Sequence, residues 1–255
     1  MGAAEFASRP RSGERLVGYW SVIDSPPATE RLANLGYDYV CVDGQHGFLG
    51  YSGIRDALVA VDAAPGDTVG LVRVEANDIT PIGRALAAGA AGVIVPLIET
   101  AADTADAVAS VRYPPVGRRS FATNRGSLRV GTKPEDANDA TVVIAMIETP
   151  TALSEVDAIC ATSGLDGVYV GPSDLSLAVG GAFPMDPAVT DRFEEAVTKV
   201  REAAVNAGIA AGIHTRDGET AARRLAEGFT FASIASDLGH LEQAARAHLE
   251  AVRRA

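Results

Sequence analysis

The sequence predicts an α/β protein that folds as a single (β/α)8 TIM barrel. Three observations support this expectation. Eight short apolar runs alternate with eight amphipathic segments along the 255 residues, as eight strand–helix units require. The runs are nearly continuously apolar, as parallel strands buried on both faces should be. The chain contains 46 Ala and 26 Gly, and side chains this small let helices pack closely on a sheet.

The strand candidates are the eight apolar runs, most of which end at a polar residue or a turn. In chain order they cover residues 16–23, 39–43, 68–74, 92–98, 141–147, 166–170, 210–214 and 231–235.

The helix candidates carry apolar residues at spacings of three and four. In chain order they cover residues 27–35, 52–61, 81–88, 101–111, 150–161, 186–207, 217–226 and 238–254. Several end at a glycine, which we expect to close the helix in the left-handed conformation, at Gly36, Gly89, Gly164, Gly208 and Gly228. The irregular stretch 113–138 is long enough to indicate an active-site or oligomer loop.

We expect one domain, residues 1–255, in which residues 1–14 form a flexible tail. The alternative is an open doubly wound sheet. That fold predicts a glycine-rich phosphate-binding turn after the first strand, but the residues there begin with Asp24 and include two prolines. The barrel is therefore favoured.

Composition excludes several classes of function. The net charge of -11 argues against nucleic-acid and anionic membrane surfaces, which need clustered Lys and Arg. No apolar run approaches the roughly 20 residues of a membrane span. Cys41 and Cys160 are the only cysteines, and they lie in apolar segments far apart. We therefore expect reduced thiols and a cytoplasmic protein.

Polar side chains follow the predicted strands at the end where TIM barrels carry their active sites. In chain order, the main polar residues at these positions are Asp43, His46, Arg73, Glu99, Glu148, Asp174, His214 and Asp237. Acids, a histidine and an arginine that converge on one mouth indicate metal-assisted carbonyl chemistry.

Simpler roles are open to several of these residues. Asp43 can be a turn residue, and Asp174 can cap a helix. Glu99 and Glu148 share the setting Ile-Glu-Thr at the end of a strand, and one of them can do no more than complement a helix dipole. Arg73 ends an otherwise apolar strand and must find an anion, either a substrate carboxylate or a neighbouring acid.

The scarcity of lysine excludes chemistry that proceeds through a Schiff base. Only Lys133 and Lys199 are present, and neither lies at a predicted strand end, so a Schiff-base mechanism lacks its amine. Asp237 would repel a phosphate from the last strand, and an aromatic content of 5% counts against a sugar-stacking site. A metal-stabilised enolate site remains.

Six collinear stretches carry a resemblance that covers roughly residues 15 to 250. They are 37–46 with Asp43-Gly-Gln-His46, 71–74 with 77–78, 95–96, 112–117, 147–149 and 166–175 with Gly171-Pro-Ser-Asp174. Together they resemble the HpcH/HpaI family of class II aldolases, which cleave 4-hydroxy-2-oxo acids to pyruvate and an aldehyde.

The resemblance implies that Glu148, rather than Glu99, and Asp174 ligate a divalent cation (Mg2+, Mn2+ or Co2+). It implies that Arg73 stabilises a pyruvate enolate, that His46 relays a proton and that Asp43 orients this network. The further residues that we expect to contact the substrate are Trp20, Gln45, Gly171, Pro172, Ser173 and His214.

The sequence departs from the usual family pattern at a few positions. Gln45 stands where members usually have Glu, and Ala87 stands where an acid from a neighbouring subunit often pairs with the histidine. Met146 replaces a common Gln, and His214 replaces an apolar residue, which suggests a more polar aldehyde pocket.

Resemblance to the family also implies a homo-oligomer, a hexamer or trimer of dimers, in which the helix at 238–254 packs on a neighbour. Two alternative functions stay open. One is a CoA-thioester lyase of the citrate-lyase-like branch, and the other is a barrel that binds a 2-oxo acid without turning it over.

Overall fold

The computed structural model describes residues 2–122 and 124–254 and shows a closed barrel of parallel strands. The strands pair in chain order, and the last pairs with the first. They are β1 (Leu16–Ser21), β2 (Tyr39–Asp43), β3 (Val69–Arg73), β4 (Gly92–Val95), β5 (Val142–Ile147), β6 (Gly167–Val170), β7 (Ala210–Thr215) and β8 (Phe231–Ser236). This confirms the predicted (β/α)8 barrel, and each predicted run overlaps its strand.

Helices cover the outside of the barrel, and one closes its amino-terminal end. In chain order they are α1 (Ala3–Arg11), α2 (Pro26–Ala33), α3 (Tyr51–Ala63), α4 (Ile79–Ala87), α5 (Ala101–Val111), α6 (Ser127–Val130), α7 (Pro134–Ala140), α8 (Pro150–Ser154), α9 (Val156–Cys160), α10 (Pro172–Ala178), α11 (Thr190–Ala207), α12 (Gly218–Ala226) and α13 (Asp237–Arg253). A short 3-10 helix, Pro187–Val189, precedes α11.

The helix predictions differ from the structure mainly in the connecting segments. The predicted helix at 150–161 divides into α8 and α9 at Glu155, and α10 was not predicted. The stretch 113–138 is less irregular than expected because it contains α6 and α7; Thr123 in this stretch lies outside the described residues. The five glycines predicted to end helices all have positive φ angles, from 71° to 108°. Gly89, Gly208 and Gly228 lie at the ends of α4, α11 and α12 as predicted. Gly36 and Gly164 instead lie beyond the caps of α2 and α9, which are Asn34 and Ala161.

The expectation of a flexible tail at residues 1–14 is wrong for the part that the structure describes. There α1 packs across the amino-terminal end of the barrel, where the Phe6 side chain is 2% exposed and its ring centre lies 6.3 Å from that of Tyr39. Arg11 Nε donates to Asp166 Oδ1 over 2.7 Å. These contacts join residues far apart in the chain, so the local sequence pattern did not reveal them.

The barrel interior is filled by large aromatic side chains that face small residues on the next strand. A Cβ atom at Gly18 would lie 2.1 Å from the Tyr39 ring, and one at Gly212 would lie 2.1 Å from the Phe231 ring. The hydroxyl groups of Tyr39 and Tyr169 both hydrogen-bond to Ser233 Oγ, at 2.9 and 2.7 Å. These packed side chains fill the barrel beneath the carboxyl ends of the strands and form its floor.

The last helix differs from the others in its packing. No residue of α13 is buried, and the side chains of Leu241, Leu249 and Val252 are at least half exposed. Its most extensive contacts with the barrel are those with β8 and β1. Among the described helices, none combines the length and apolar character needed to cross a bilayer.

Candidate active site at the carboxyl ends of the strands

Asp43 and Arg73 form a forked ion pair at the mouth of the barrel. They are the last residues of β2 and β3, and the parallel register sets them side by side. Arg73 Nε donates to Asp43 Oδ1 over 2.9 Å, and Nη2 donates to Oδ2 over 2.5 Å. Both side chains are buried. The pair fixes the guanidinium plane, while Nη1 has no hydrogen-bond partner within residues 2–122 and 124–254.

Asp43 accepts three further hydrogen bonds. The Trp20 indole N–H donates over 3.0 Å, and the backbone N–H groups of Gln45 and His46 each donate over 3.1 Å. Burial raises the pKa of Asp43, but the hydrogen bonds and charge of Arg73 outweigh it and leave the pKa below its usual value. A carboxylate that is ionised and surrounded by donors is suited to positioning neighbours rather than to removing a proton.

His46 and Gln45 follow Asp43 in a tight turn. His46 is exposed and lines the cavity, and its ring makes no hydrogen bond with the described part of the chain. Gln45 does not line the cavity; its Oε1 atom is buried without a hydrogen-bond partner among the described residues. Ala87 lies at the end of α4 on the outer flank. The imidazole therefore has no carboxylate partner in that part of its own chain.

Glu148 follows β5, and a backbone N–H from the segment after β4 fixes its side chain. Its side chain is 3% exposed, and its Oε1 accepts from the backbone N–H of Leu97 over 2.8 Å. Leu97 adopts a φ of 54°, a conformation that leucine rarely takes. Burial raises the pKa of Glu148, the nearby charge of Asp174 adds to the rise, and the Leu97 N–H opposes it.

The turn after β6 brings Asp174 towards Glu148. A Cβ atom at Gly171 would lie 2.6 Å from Glu148 Oε2, so a larger residue here would displace the carboxylate from its present position. Pro172 and Ser173 begin α10, and Asp174 is the exposed third residue of that helix. The two carboxylates repel each other, which is the origin of the contribution of Asp174 to the raised pKa of Glu148.

His214 and Trp20 form another wall of the cavity. Their ring centres lie 5.3 Å apart in an edge-to-face arrangement, and the Arg73 guanidinium carbon lies 5.2 Å from the centre of the Trp20 ring. Burial lowers the pKa of His214 to about 4, with the charge of Arg73 as a second cause. The imidazole is therefore neutral at physiological pH.

These walls enclose a cavity of about 260 Å3. The predicted site residues that line it are Trp20, Asp43, His46, Arg73, Gly171, Pro172, Ser173, Asp174 and His214. The prediction did not include Val22, Met146, Tyr169 and Ser236, which also line it. Met146 and Tyr169 precede Glu148 and Gly171 by two residues, and residues two apart on a strand share a face, so this spacing could have identified them.

Three strand-end acids lie outside the cavity lining, namely Glu99, Asp237 and Glu148, which lies behind the lining residue Gly171. Glu99 is exposed, and its backbone N–H donates to Asp103 at the start of α5. Asp237 accepts from the backbone N–H groups of Val22 and Ile23 over 2.9 and 3.2 Å. It thus fixes the segment that follows β1, a role that its position in the sequence did not indicate.

The donor set fits a divalent cation with an open coordination sphere. Among the described residues, no group of three or more His, Cys, Asp or Glu side chains is arranged to hold a metal, so a closed structural zinc site is not built here. Glu148 and Asp174 instead offer oxygen donors, which suit Mg2+ or Mn2+ when water or substrate oxygens complete the sphere.

Comparison with known proteins identifies the family. Residues 16–244 match the family described as HpcH/HpaI aldolase/citrate lyase. The chain belongs to this family. The match runs from β1 beyond β8, which confirms the resemblance inferred from the six sequence stretches.

HpcH/HpaI relatives match this chain over almost their whole length. A hydroxypyruvate/pyruvate aldolase of Rhizorhabdus wittichii is 37% identical, with 92% of each chain covered. A 4-hydroxy-2-oxovalerate aldolase of Novosphingobium aromaticivorans is 36% identical over 91% of this chain and 92% of its own. The crystal structure of a family member from Burkholderia cenocepacia J2315 superposes with a TM-score of 0.89 at 33% identity, covering 98% of this chain and 99% of the other.

Proposed function

We propose that this chain is a carbon–carbon lyase, a class II pyruvate aldolase that cleaves 4-hydroxy-2-oxo acids to pyruvate and an aldehyde and catalyses the reverse condensation. The observation that carries the proposal is one cavity lined by both Asp174 and the buried Arg73, with a carboxylate oxygen of Glu148 directly behind Gly171 in its wall. The two relatives named above support it, because both are named as aldolases of 2-oxo acids.

Glu148 and Asp174 would hold the cation, Mg2+, Mn2+ or Co2+. When bound, the cation supplies a Lewis acid for the 2-oxo oxygen, where negative charge develops as the carbon–carbon bond breaks. The buried setting of Glu148 keeps competing water away from one of its oxygens, and the Leu97 N–H fixes the carboxylate plane.

Arg73 and His46 would carry out the charge and proton steps. His46 takes the proton of the C4 hydroxyl, directly or through one water, and the electrons of that O–H bond form the aldehyde carbonyl. The C3–C4 bond breaks, and its electron pair remains on pyruvate as the enolate. Arg73 stabilises this anion because its guanidinium is already fixed and desolvated. Asp43 is a positioning residue, since its oxygens are occupied by Arg73, Trp20 and the turn.

The remaining cavity residues would hold the two ends of the substrate. The first-turn N–H groups of α10 near Ser173 and Asp174 have no intrahelical partner and are suited to the pyruvate carboxylate, with Gly171 and Pro172 shaping this side. The neutral His214 ring, next to Trp20, can donate to or accept from a hydroxyl group on the aldehyde. Gln45 lies off the cavity wall, so we propose that it supports the turn instead of the substrate.

We also propose that the protein is a cytoplasmic homo-oligomer, a hexamer or trimer of dimers. The apolar side chains that α13 exposes, Leu241, Leu249 and Val252, support packing of this helix on a second copy. Cys41 and Cys160 are buried and unpaired, as expected of a reducing compartment.

The test is pyruvate release from 4-hydroxy-2-oxo acids by the protein as purified, with and without EDTA. We expect EDTA to abolish release and Mg2+ or Mn2+ to restore it. Glu148→Gln should lower both bound metal and turnover, whereas Glu99→Gln, which changes an exposed acid in the same Ile-Glu-Thr setting, should leave both unchanged. Cleavage that survives EDTA, or borohydride trapping of pyruvate on Lys133 or Lys199, would refute the proposal. Tight oxalate binding without cleavage would indicate a binding protein.

A further inference from the structure

Asp237 joins the end of the last strand to the segment that follows the first. It is the first residue of α13, directly after β8. Its Oδ2 accepts from the Ser21 hydroxyl over 3.0 Å and from the backbone N–H of Ile23 over 3.2 Å. Its Oδ1 accepts from the backbone N–H of Val22 over 2.9 Å. Because an ionised acceptor makes stronger hydrogen bonds than a neutral one, this carboxylate holds three consecutive residues in place.

An irregularity in β8 sets the position of this carboxylate. The register of β8 against β1 shifts by one residue at Ala235, which is left without a partner on β1. Ala235 has a φ of 45°, a conformation that a residue with a Cβ atom rarely adopts. The shift sets Asp237 level with Ser21, from whose hydroxyl group it accepts. Bulges that redirect a side chain in this way, and backbone strain of this kind, are common beside active sites.

Val22 connects Asp237 to the turn that carries His46. Its N–H donates to Asp237, and its C=O accepts from the backbone N–H of Phe48 over 2.8 Å. Phe48 lies two residues after His46, and Val22 itself lines the active-site cavity. Two hydrogen bonds in series therefore link the carboxylate of Asp237 to the end of this turn.

The position of the His46 imidazole depends on the backbone that carries it. The ring makes no hydrogen bond and no ion pair with the described part of the chain. The turn is held at its start by Asp43, whose Oδ1 accepts from the His46 N–H over 3.1 Å and whose C=O accepts from the Gly47 N–H over 3.2 Å. Its end is held by the hydrogen bond from Phe48 to Val22. Displacing Val22 would therefore displace the imidazole.

We propose that Asp237 is a positioning residue that holds His46 in place for proton transfer, acting through Val22 and Phe48. This inference rests on the proposed function, in which His46 takes the proton of the C4 hydroxyl. The imidazole must lie within hydrogen-bond reach of that hydroxyl or of one intervening water, so a small displacement of the turn lowers the rate of the chemical step.

The proposed metal ligands do not depend on Asp237 in this way. Glu148 and Asp174 follow β5 and β6, and within the described chain neither side chain is hydrogen-bonded to Asp237 or to Val22. Loss of the Asp237 carboxylate should therefore change turnover without changing the affinity for metal.

The test measures metal-dependent pyruvate release from a 4-hydroxy-2-oxo acid by Asp237→Asn and by the original protein. The amide keeps the size of the side chain but loses the charge and one of the two acceptor oxygens. We expect kcat to fall about 10- to 100-fold, since a misplacement of about 1 Å can cost the larger figure, while KM and bound metal stay unchanged.

Two further single variants complete this measurement. Ser21→Ala removes one of the three hydrogen bonds at a fully buried position and should lower kcat less; it carries the test if Asp237→Asn does not fold. The matched control is Asp217→Asn. Asp217 precedes α12 after β7 and accepts only from its own segment, from Thr220 and Arg216, so its kcat should equal that of the original protein.

A double-mutant cycle tests whether Asp237 acts through His46. The variant that combines Asp237→Asn with His46→Ala should lose no more kcat than His46→Ala alone, because no imidazole is left to misplace. The proposal is overturned if the two losses multiply, if kcat of Asp237→Asn or Ser21→Ala equals that of the original protein, or if Asp217→Asn loses as much as Asp237→Asn.

Crystal structures of the metal-free original protein and of metal-free Asp237→Asn give a readout that needs no turnover. We expect the turn at residues 43–48 to shift by about 1 Å while Glu148 and Asp174 stay in place, and an unmoved turn would overturn the proposal. If the original protein releases no pyruvate with Mg2+, the proposed function is refuted, and the two structures still decide whether Asp237 holds the turn.

Discussion

Replacing Asp43 by Asn removes the negative charge that pairs with Arg73 while keeping the size of the side chain. Asn Oδ1 can still accept from the turn, but the amide NH2 would face the Arg73 guanidinium, donor against donor. Breaking a buried ion pair from one side costs about 3–5 kcal/mol. The chain has 255 residues, and an unfolding entropy of about 2.1 cal/mol/K per residue converts the lower figure to a fall in Tm of about 6 °C.

The pH dependence of this loss has a defined sign. The pKa of Asp43 is lowered in the folded protein, so its stabilising effect is complete above the unfolded value of about 3.9 and is lost as pH falls through the folded pKa. The Tm difference between Asp43→Asn and the original protein should therefore be constant near neutrality and shrink below about pH 4.

Thermal unfolding and pyruvate release together measure the effect of Asp43→Asn. Turnover should fall because Arg73 is no longer held in the plane that its two hydrogen bonds define. Glu99→Gln serves as the charge-matched control, because Glu99 is an exposed acid that follows β4. Wild-type Tm and turnover in Asp43→Asn would refute the role assigned to this ion pair.

Three further outcomes are expected. Gly171→Ala should reduce metal affinity roughly 10- to 100-fold, because the new Cβ atom would lie 2.6 Å from Glu148 Oε2. The control is Gly83→Ala, whose Cβ atom meets nothing within 4 Å and which should bind metal normally. Equal metal contents in the two variants would contradict this prediction. His214→Leu should lower kcat/KM for hydroxylated aldehydes more than for alkyl aldehydes, and its pH–rate profile between pH 5 and 8 should match the original, since the pKa of His214 is about 4. Leu241→Glu should reduce the mass measured by light scattering, and an unchanged mass would count against packing of α13 on a second copy.

The sequence predicted the barrel well because its signal is local. A buried parallel strand is a continuous apolar run, so the predicted and observed limits of β2 coincide at Tyr39–Asp43. The same logic placed Asp43 and Arg73 at the mouth, because the carboxyl ends of parallel strands share one edge of the sheet.

Contacts between residues far apart in the chain could not be predicted from the local sequence pattern. Glu99 and Glu148 have the same neighbours in sequence, yet Glu148 is buried by Leu97 and Gly171, which are far from it in the chain. The hydrogen bond from Trp20 to Asp43 joins β1 to β2 through side chains, and no spacing rule encodes it. Helix α1 was missed for the same reason, since distant ion pairs and the barrel floor hold it.

Trp20 gives the molecule a built-in optical probe. It is the only tryptophan in the chain, and its indole N–H is hydrogen-bonded to Asp43 beneath the site at which the substrate is proposed to bind. Light at the red edge of protein absorption therefore excites a single fluorophore in the wall of the cavity. Emission from this indole should respond directly when a ligand displaces water from the mouth or when His214 gains a proton near pH 4, so binding constants become measurable without a coupled enzyme or a labelled substrate.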